Sequence, residues 1–95
     1  MFNIVDLKNK VILVGLTYKN SEDEIIEKDQ FAGRIISVSP DGIRILINGS
    51  NNIFTLPMDI RAIKKAPPGE YSLYSTKEKI KNPDYLCTWT IIVNK

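Results

Sequence analysis

The chain never sustains a helical period. Its apolar residues come in short runs rich in Val and Ile, broken by strong turn formers. No stretch of about twelve residues repeats its apolar positions every three or four. Residues 11–18 (VILVGLTY), 31–38 (FAGRIISV), 43–47 (IRILI), 52–56 (NIFTL) and 60–64 (IRAIK) therefore read as five strands. Ser39-Pro40-Asp41-Gly42 is the sharpest turn. Pro presets φ, Asp bonds back to the backbone and Gly accepts positive φ. With Ile43, Ile45 and Ile47 alternating on one face, it predicts a hairpin over 31–47. Gly33 predicts a bend or a close backbone approach. Asn48-Gly49-Ser50-Asn51 is a second tight turn, Pro57 ends the fourth strand, and residues 57–60 suit one 3₁₀ turn.

Ala66-Pro67-Pro68-Gly69 is the strongest internal boundary. Beyond it, residues 70–75 and 78–80 read as brief strands, and Asn82-Pro83-Asp84 as a turn. Residues 85–93 form the longest β-prone run, with Trp89, Ile91 and Val93 on one face and Thr88 and Thr90 on the other. Residues 1–7 lead into the first strand. Ninety-five residues leave room for one core, so 1–95 is read as one domain.

Five short strands within residues 10–64 predict an all-β fold, a closed or nearly closed small barrel, because closure removes exposed edges. The long acidic loop at 19–30, read as a long hairpin with a ragged polar tip rather than a short helix, two hairpin turns, then Leu56-Pro57-Met58-Asp59-Ile60-Arg61-Ala62-Ile63 give an order that resembles an SH3-like barrel in topology. The paired Trp and the Tyr-rich motif of peptide-binding members are absent, so the resemblance carries no expectation of Pro-rich peptide binding. Pro67-Pro68-Gly69-Glu70-Tyr71, Asn82-Pro83-Asp84-Tyr85 and Thr88-Trp89-Thr90 resemble the C-terminal half of a group of small, largely uncharacterised bacterial proteins. That likeness implies a bacterial protein and no particular activity. The 66–95 segment is expected to be a β extension that packs on the barrel, covering an edge or one mouth.

The composition argues against catalysis. Histidine is absent, which removes the commonest general base and zinc ligand. Glycine-rich phosphate loops and a GxSxG elbow are absent too. The expectation is no enzyme, no cofactor and no metal. The acidic residues lack the regular ligand spacing of a calcium loop. Cys87 is the only cysteine and sits in an apolar run, so it reads as a buried small hydrophobe in a reducing compartment. With no signal-peptide pattern and no long apolar run, the chain reads as cytoplasmic and without a membrane partner.

Net charge is only +2, but the charges are unevenly placed. Residues 22–29 hold five acids against one Lys. Flanked by Tyr18 and Phe31, the acids Glu22, Asp23, Glu24 and Glu27, with Asp29, form the leading candidate surface for a protein partner. The alternative is a nucleic-acid surface built on Arg61, Lys64, Lys65, Lys77, Lys79 and Lys81, with Tyr71, Tyr74 and Tyr85 near in sequence. Scattering of those cations around the molecule would remove its footing. A third expectation is a homodimer through strand 85–93 as an uncovered edge.

Overall fold

A computed structural model of the chain describes residues 4–73 and 77–93, side chains included except at Ile4, Val5 and Ile60. Tyr74 lies outside the described residues. Among the described residues eight strands follow in order: β1 (Val11–Lys19), β2 (Ile25–Ser39), β3 (Gly42–Ile47), β4 (Ile53–Leu56), β5 (Ile63–Lys65), β6 (Glu70–Ser72), β7 (Lys79–Lys81) and β8 (Tyr85–Ile92). Short 3₁₀ turns occupy Ile4–Leu7 and Ile60–Ala62. The fold is all-β, as the alternation and turns require.

Six strands form one sheet in the order β4-β3-β2-β1-β8-β5, and β6 and β7 pair separately. The expected barrel does not close within residues 10–64. β5 does not pair with β1, because β8 lies between them. β8 runs parallel to β1 from Ile12↔Tyr85 to Lys19↔Ile92, whereas β5 pairs antiparallel with β8 over only Ile63↔Cys87 to Lys65↔Tyr85. A long uncharged strand satisfies more of the β1 edge than a three-residue one. Strand 85–93 is therefore an edge only beyond Cys87. One side is paired along β1, and its first three residues are paired on both sides.

The inner face of this sheet carries the main core. Ile12, Val14, Leu16, Phe31, Ile35, Ile43, Ile45, Leu56, Ile63, Tyr85 and Cys87 all belong to it. Leu7, fully buried, joins the same core from the N-terminal 3₁₀ turn. A smaller core lies on the outer face, where Leu73 and Ile80 of the β6–β7 segment pack on Leu13 and Ala32. The tail thus does two things: it supplies an interior strand and it covers part of the outer face.

The turns show why the chain reverses where it does. Pro40 and Asp41 link the Ser39↔Gly42 pair. Gly42 has φ +144°, a value glycine adopts freely. The side-chain bond here runs from Asp41 N–H to Ser39 Oγ (3.2 Å), so Ser39 rather than Asp41 supplies the acceptor. Gly33 is a close approach as expected: a Cβ there would collide with the Leu46 carbonyl oxygen of β3. The 3₁₀ turn starts later than the sequence suggested, at 60 rather than 57. Asp59 caps it, accepting the Arg61 N–H on Oδ1 (3.1 Å) and the Ala62 N–H on its carbonyl (3.1 Å).

Candidate functional site

The β1–β2 hairpin, with β8 alongside β1, extends past β3 and β4. β3 pairs with β2 only from Gly33 onward, while β2 begins at Ile25. The segment 25–30 is therefore strand, and the acidic loop shrinks to a tip at 20–24. Asn20 organises that tip. Its Oδ1 accepts the N–H groups of Glu22 (2.9 Å) and Glu24 (3.0 Å), and its Nδ2 donates to Glu24 Oε1 (2.9 Å). Lys19 Nζ pairs with Asp23 Oδ1 at 3.1 Å. Asp23 holds φ 68°, a conformation Asp tolerates better than most residues.

Register sorts the projecting side chains by face. Across three strands, Asp29–Leu16–Trp89 and then Glu27–Tyr18–Ile91 form successive rows on the inner face. Gln30–Gly15–Thr88 and Lys28–Thr17–Thr90 form rows on the outer face. Acids and aromatics thus share one side. The register slips between Tyr18 and Lys19, and the extra residue, Ile26, is displaced outward there. It lines a cleft of about 480 Å³ with Tyr18, Glu27 and Val93. An adjoining cleft of about 440 Å³ shares Ile26 and Val93 and reaches Glu22 and Glu24. Three large apolar residues stand exposed at this end: Ile25 (55%), Ile26 (51%) and Ile92 (56%). Ile25 and Ile92 flank Lys19 from either side in the sheet.

The structure brings Tyr18, Glu22, Glu24 and Glu27 to the two clefts and leaves Asp23 held by Lys19. Phe31 is a correction. It is 9% exposed, belongs to the core and lies 5.1 Å from the Phe54 ring, so it offers no contact surface. Its register partner is Val14, which places it deep on the inner face. The apolar half of the site, Ile25, Ile26 and Val93, was missed in the sequence. The only signal was an Ile pair stranded inside an acidic run.

The basic residues are carried by separate elements, a 3₁₀ turn, β5 and the β6–β7 segment. Arg61 is engaged by Asp59 through Nε–Oδ1 (3.0 Å) and Nη2–Oδ2 (3.2 Å). Those bonds hold the Asp59 carboxyl below its ordinary value and raise the guanidinium. Lys64 pairs with Leu86 and Lys65 with Tyr85, so the two point to opposite faces of β5. Lys79 and Lys81 flank buried Ile80 on β7, and Lys79 lies 3.8 Å from Glu70. Lys77 is exposed with φ 60°. Tyr85 is a core residue, and Tyr71 donates to the Pro67 carbonyl (2.7 Å).

Cys87 is 4% exposed, and burial first, then the nearby Asp59 charge, push its thiol up to about 11. Among the described residues no group of three His, Cys, Asp or Glu side chains is placed to hold a metal ion, and no helix is long and apolar enough to cross a membrane. No protein-family model matches the chain, and no curated protein or solved structure matches it either.

Proposed function

We propose that this protein is a non-enzymatic interaction module that binds another protein through the projecting end of the β1–β2 hairpin. The observation that carries this reading is the coincidence, at one end, of exposed Ile25 and Ile26, the Tyr18–Val93 cleft and the carboxylates Glu22, Glu24 and Glu27. Apolar surface rimmed by charge marks contact sites on small proteins. The partner it suits is a segment with an apolar anchor beside Lys or Arg. A bacterial, cytoplasmic setting fits the likeness of the tail and the single buried thiol.

Nucleic-acid binding is the weaker reading, since Lys64 and Lys65 point to opposite faces of β5 and Arg61 is occupied by Asp59.

Glu22 and Glu27 make no ion pair among the described residues, so they can be changed without disturbing the tip. The test is affinity capture with the native chain, with Glu22→Ser/Glu27→Ser and with Ile26→Asp. A partner retained by the native chain and lost by both variants is the expected result. Equal recovery by all three overturns the reading. A salt-dependent shift of single-stranded RNA that survives both variants would favour the basic alternative.

A further inference from the structure

The sheet leaves two long stretches of strand edge unpaired among the described residues, and they are guarded very differently. On β2, the stretch 25–30 carries Glu27, Lys28 and Asp29. The edge-facing N–H of Gln30 is already occupied, donating to Asp29 Oδ1 at 2.8 Å. Charge and a blocked donor are how proteins discourage strand addition.

On β8 no such guard exists. Val93 N–H donates to the Lys19 carbonyl (2.7 Å), so the odd-numbered residues of β8 aim their backbone groups at β1. The even-numbered residues aim theirs the other way. Leu86 meets Lys64 of β5 there, and β5 ends its pairing at Cys87. Thr90 and Ile92 thus turn their N–H and C=O groups outward beyond the end of β5. From Thr88 to Val93 there is no charged residue and no Pro. Thr90 and Ile92 are exposed, and Trp89 and Ile91 are half-buried beside them.

We propose that this edge is the interface of a homodimer, in which Thr90–Ile92 pairs antiparallel with the same residues of a second copy. Several features select a second copy rather than an unrelated strand. An edge without charge opposes nothing unfavourable to its own image. The cross-strand contacts it would make are Thr and Ile against each other, pairs that stabilise sheets. The other edges of the sheet are unsuited to meeting it. β2 is charged, β5 carries Lys64 and Lys65, and β4 is four residues long. Like therefore meets like, and the two-fold contact closes after two copies instead of propagating. This inference does not rest on the partner-binding reading: the carboxylates at the hairpin tip play no part in it, although Ile92 stands at the same end of the sheet and its neighbour Val93 lines both clefts.

The test compares the native chain with Thr90→Lys and Ile92→Lys, both changes of exposed side chains that leave the core alone. Sedimentation velocity from micromolar to millimolar concentration reads the mass. Hydrogen exchange reads the Thr90 and Ile92 amides, and Trp89 emission reports unfolding of either variant. The expected result is a native dimer whose Thr90 and Ile92 amides exchange more slowly as concentration rises. Both variants are expected to stay folded with an unchanged Trp89 spectrum at low concentration and to dissociate at least tenfold more readily. A native chain that stays monomeric at millimolar concentration overturns the proposal. So does a dimer that persists equally in both variants, since its interface must then lie elsewhere.

Discussion

Asp84 and Val11 are joined twice. The Val11 N–H donates to Asp84 Oδ2 (2.8 Å), and the Asp84 N–H donates to the Val11 carbonyl (2.9 Å). The Asp84 carbonyl also accepts the Ala66 N–H (3.1 Å), so one residue ties the starts of β1 and β8 to the end of β5. A parallel pair has no hairpin to fix its register, and this clamp fixes where β8 begins. Asp84→Ala is expected to lower stability by about 1–2 kcal/mol, a typical loss for a hydrogen bond to a charged group at partial exposure. Asp84→Asn, which keeps an acceptor oxygen, should lose less. Urea denaturation followed by Trp89 emission measures both.

Gly33 marks where β2 and β3 come too close for a side chain. A methyl group there would meet the Leu46 carbonyl oxygen and the Ile45 Cγ2. Both are fixed by the β-ladder and the core, so neither gives way cheaply. Gly33→Ala is expected to cost about 2–3 kcal/mol, in the range of overpacked cores. Gly15→Ala, with no atom within 4 Å of an added Cβ, is the control and should change little.

Leu7 precedes the sheet yet is fully buried against it. Asn9 N–H donates to the Ile35 carbonyl (2.7 Å) and Ile35 N–H to the Lys10 carbonyl (2.9 Å), which anchors this segment to β2. Leu7→Ala should destabilise the protein by about 2–4 kcal/mol, as cavity-forming changes do. A thermal melt within a degree or so of the native value would show that the segment does not contribute to the core.

Cys87 makes stability depend on alkaline pH. Its thiol ionises near 9 in the unfolded chain and near 11 in the folded one. Between those values the unfolded state has lost the proton and the folded state keeps it. The unfolded state then binds fewer protons, so stability falls as pH rises from 9 to 11. Cys87→Ala should remove that part of the slope, seen as the difference between the two proteins' denaturation midpoints across this window. At pH 8 the native thiol should react with a maleimide far more slowly than the urea-unfolded one.

Asn20 holds the tip on which the proposed contact surface rests. Asn20→Ala removes the acceptor for two N–H groups and the donor to Glu24. Faster amide exchange at Glu22 and Glu24 is expected, with weaker partner capture and an unchanged melting temperature. Unaltered exchange at both amides would contradict the ordering role.

At a few positions the local sequence signal and the fold disagree. Ile25 and Ile26 resume apolar character among acids and the long hairpin over 19–30 does run through them, but nothing local says that both stay exposed. Phe31 looked like a flank of that loop. Its pairing with Val14 turns it inward, and only register, a property of two strands, decides which face a residue takes. The six cations looked like a patch because they are near in sequence. They divide between an edge strand, a 3₁₀ turn and a separate two-stranded hairpin.

Some of the molecule was settled along the chain alone. Alternating Ile residues, the Ser39–Gly42 turn and the absence of a helical period determine strands, hairpins and the all-β class, because each depends on a few neighbouring residues. The partner of β1 was not settled that way. Both β5 and β8 present β-prone edges to it, and the choice rests on pairing between residues more than seventy positions apart. Long-range contacts of that kind depend on the whole packed core, so only the tertiary structure opened the barrel, placed the acids beside the aromatics and left Thr90 and Ile92 facing outward.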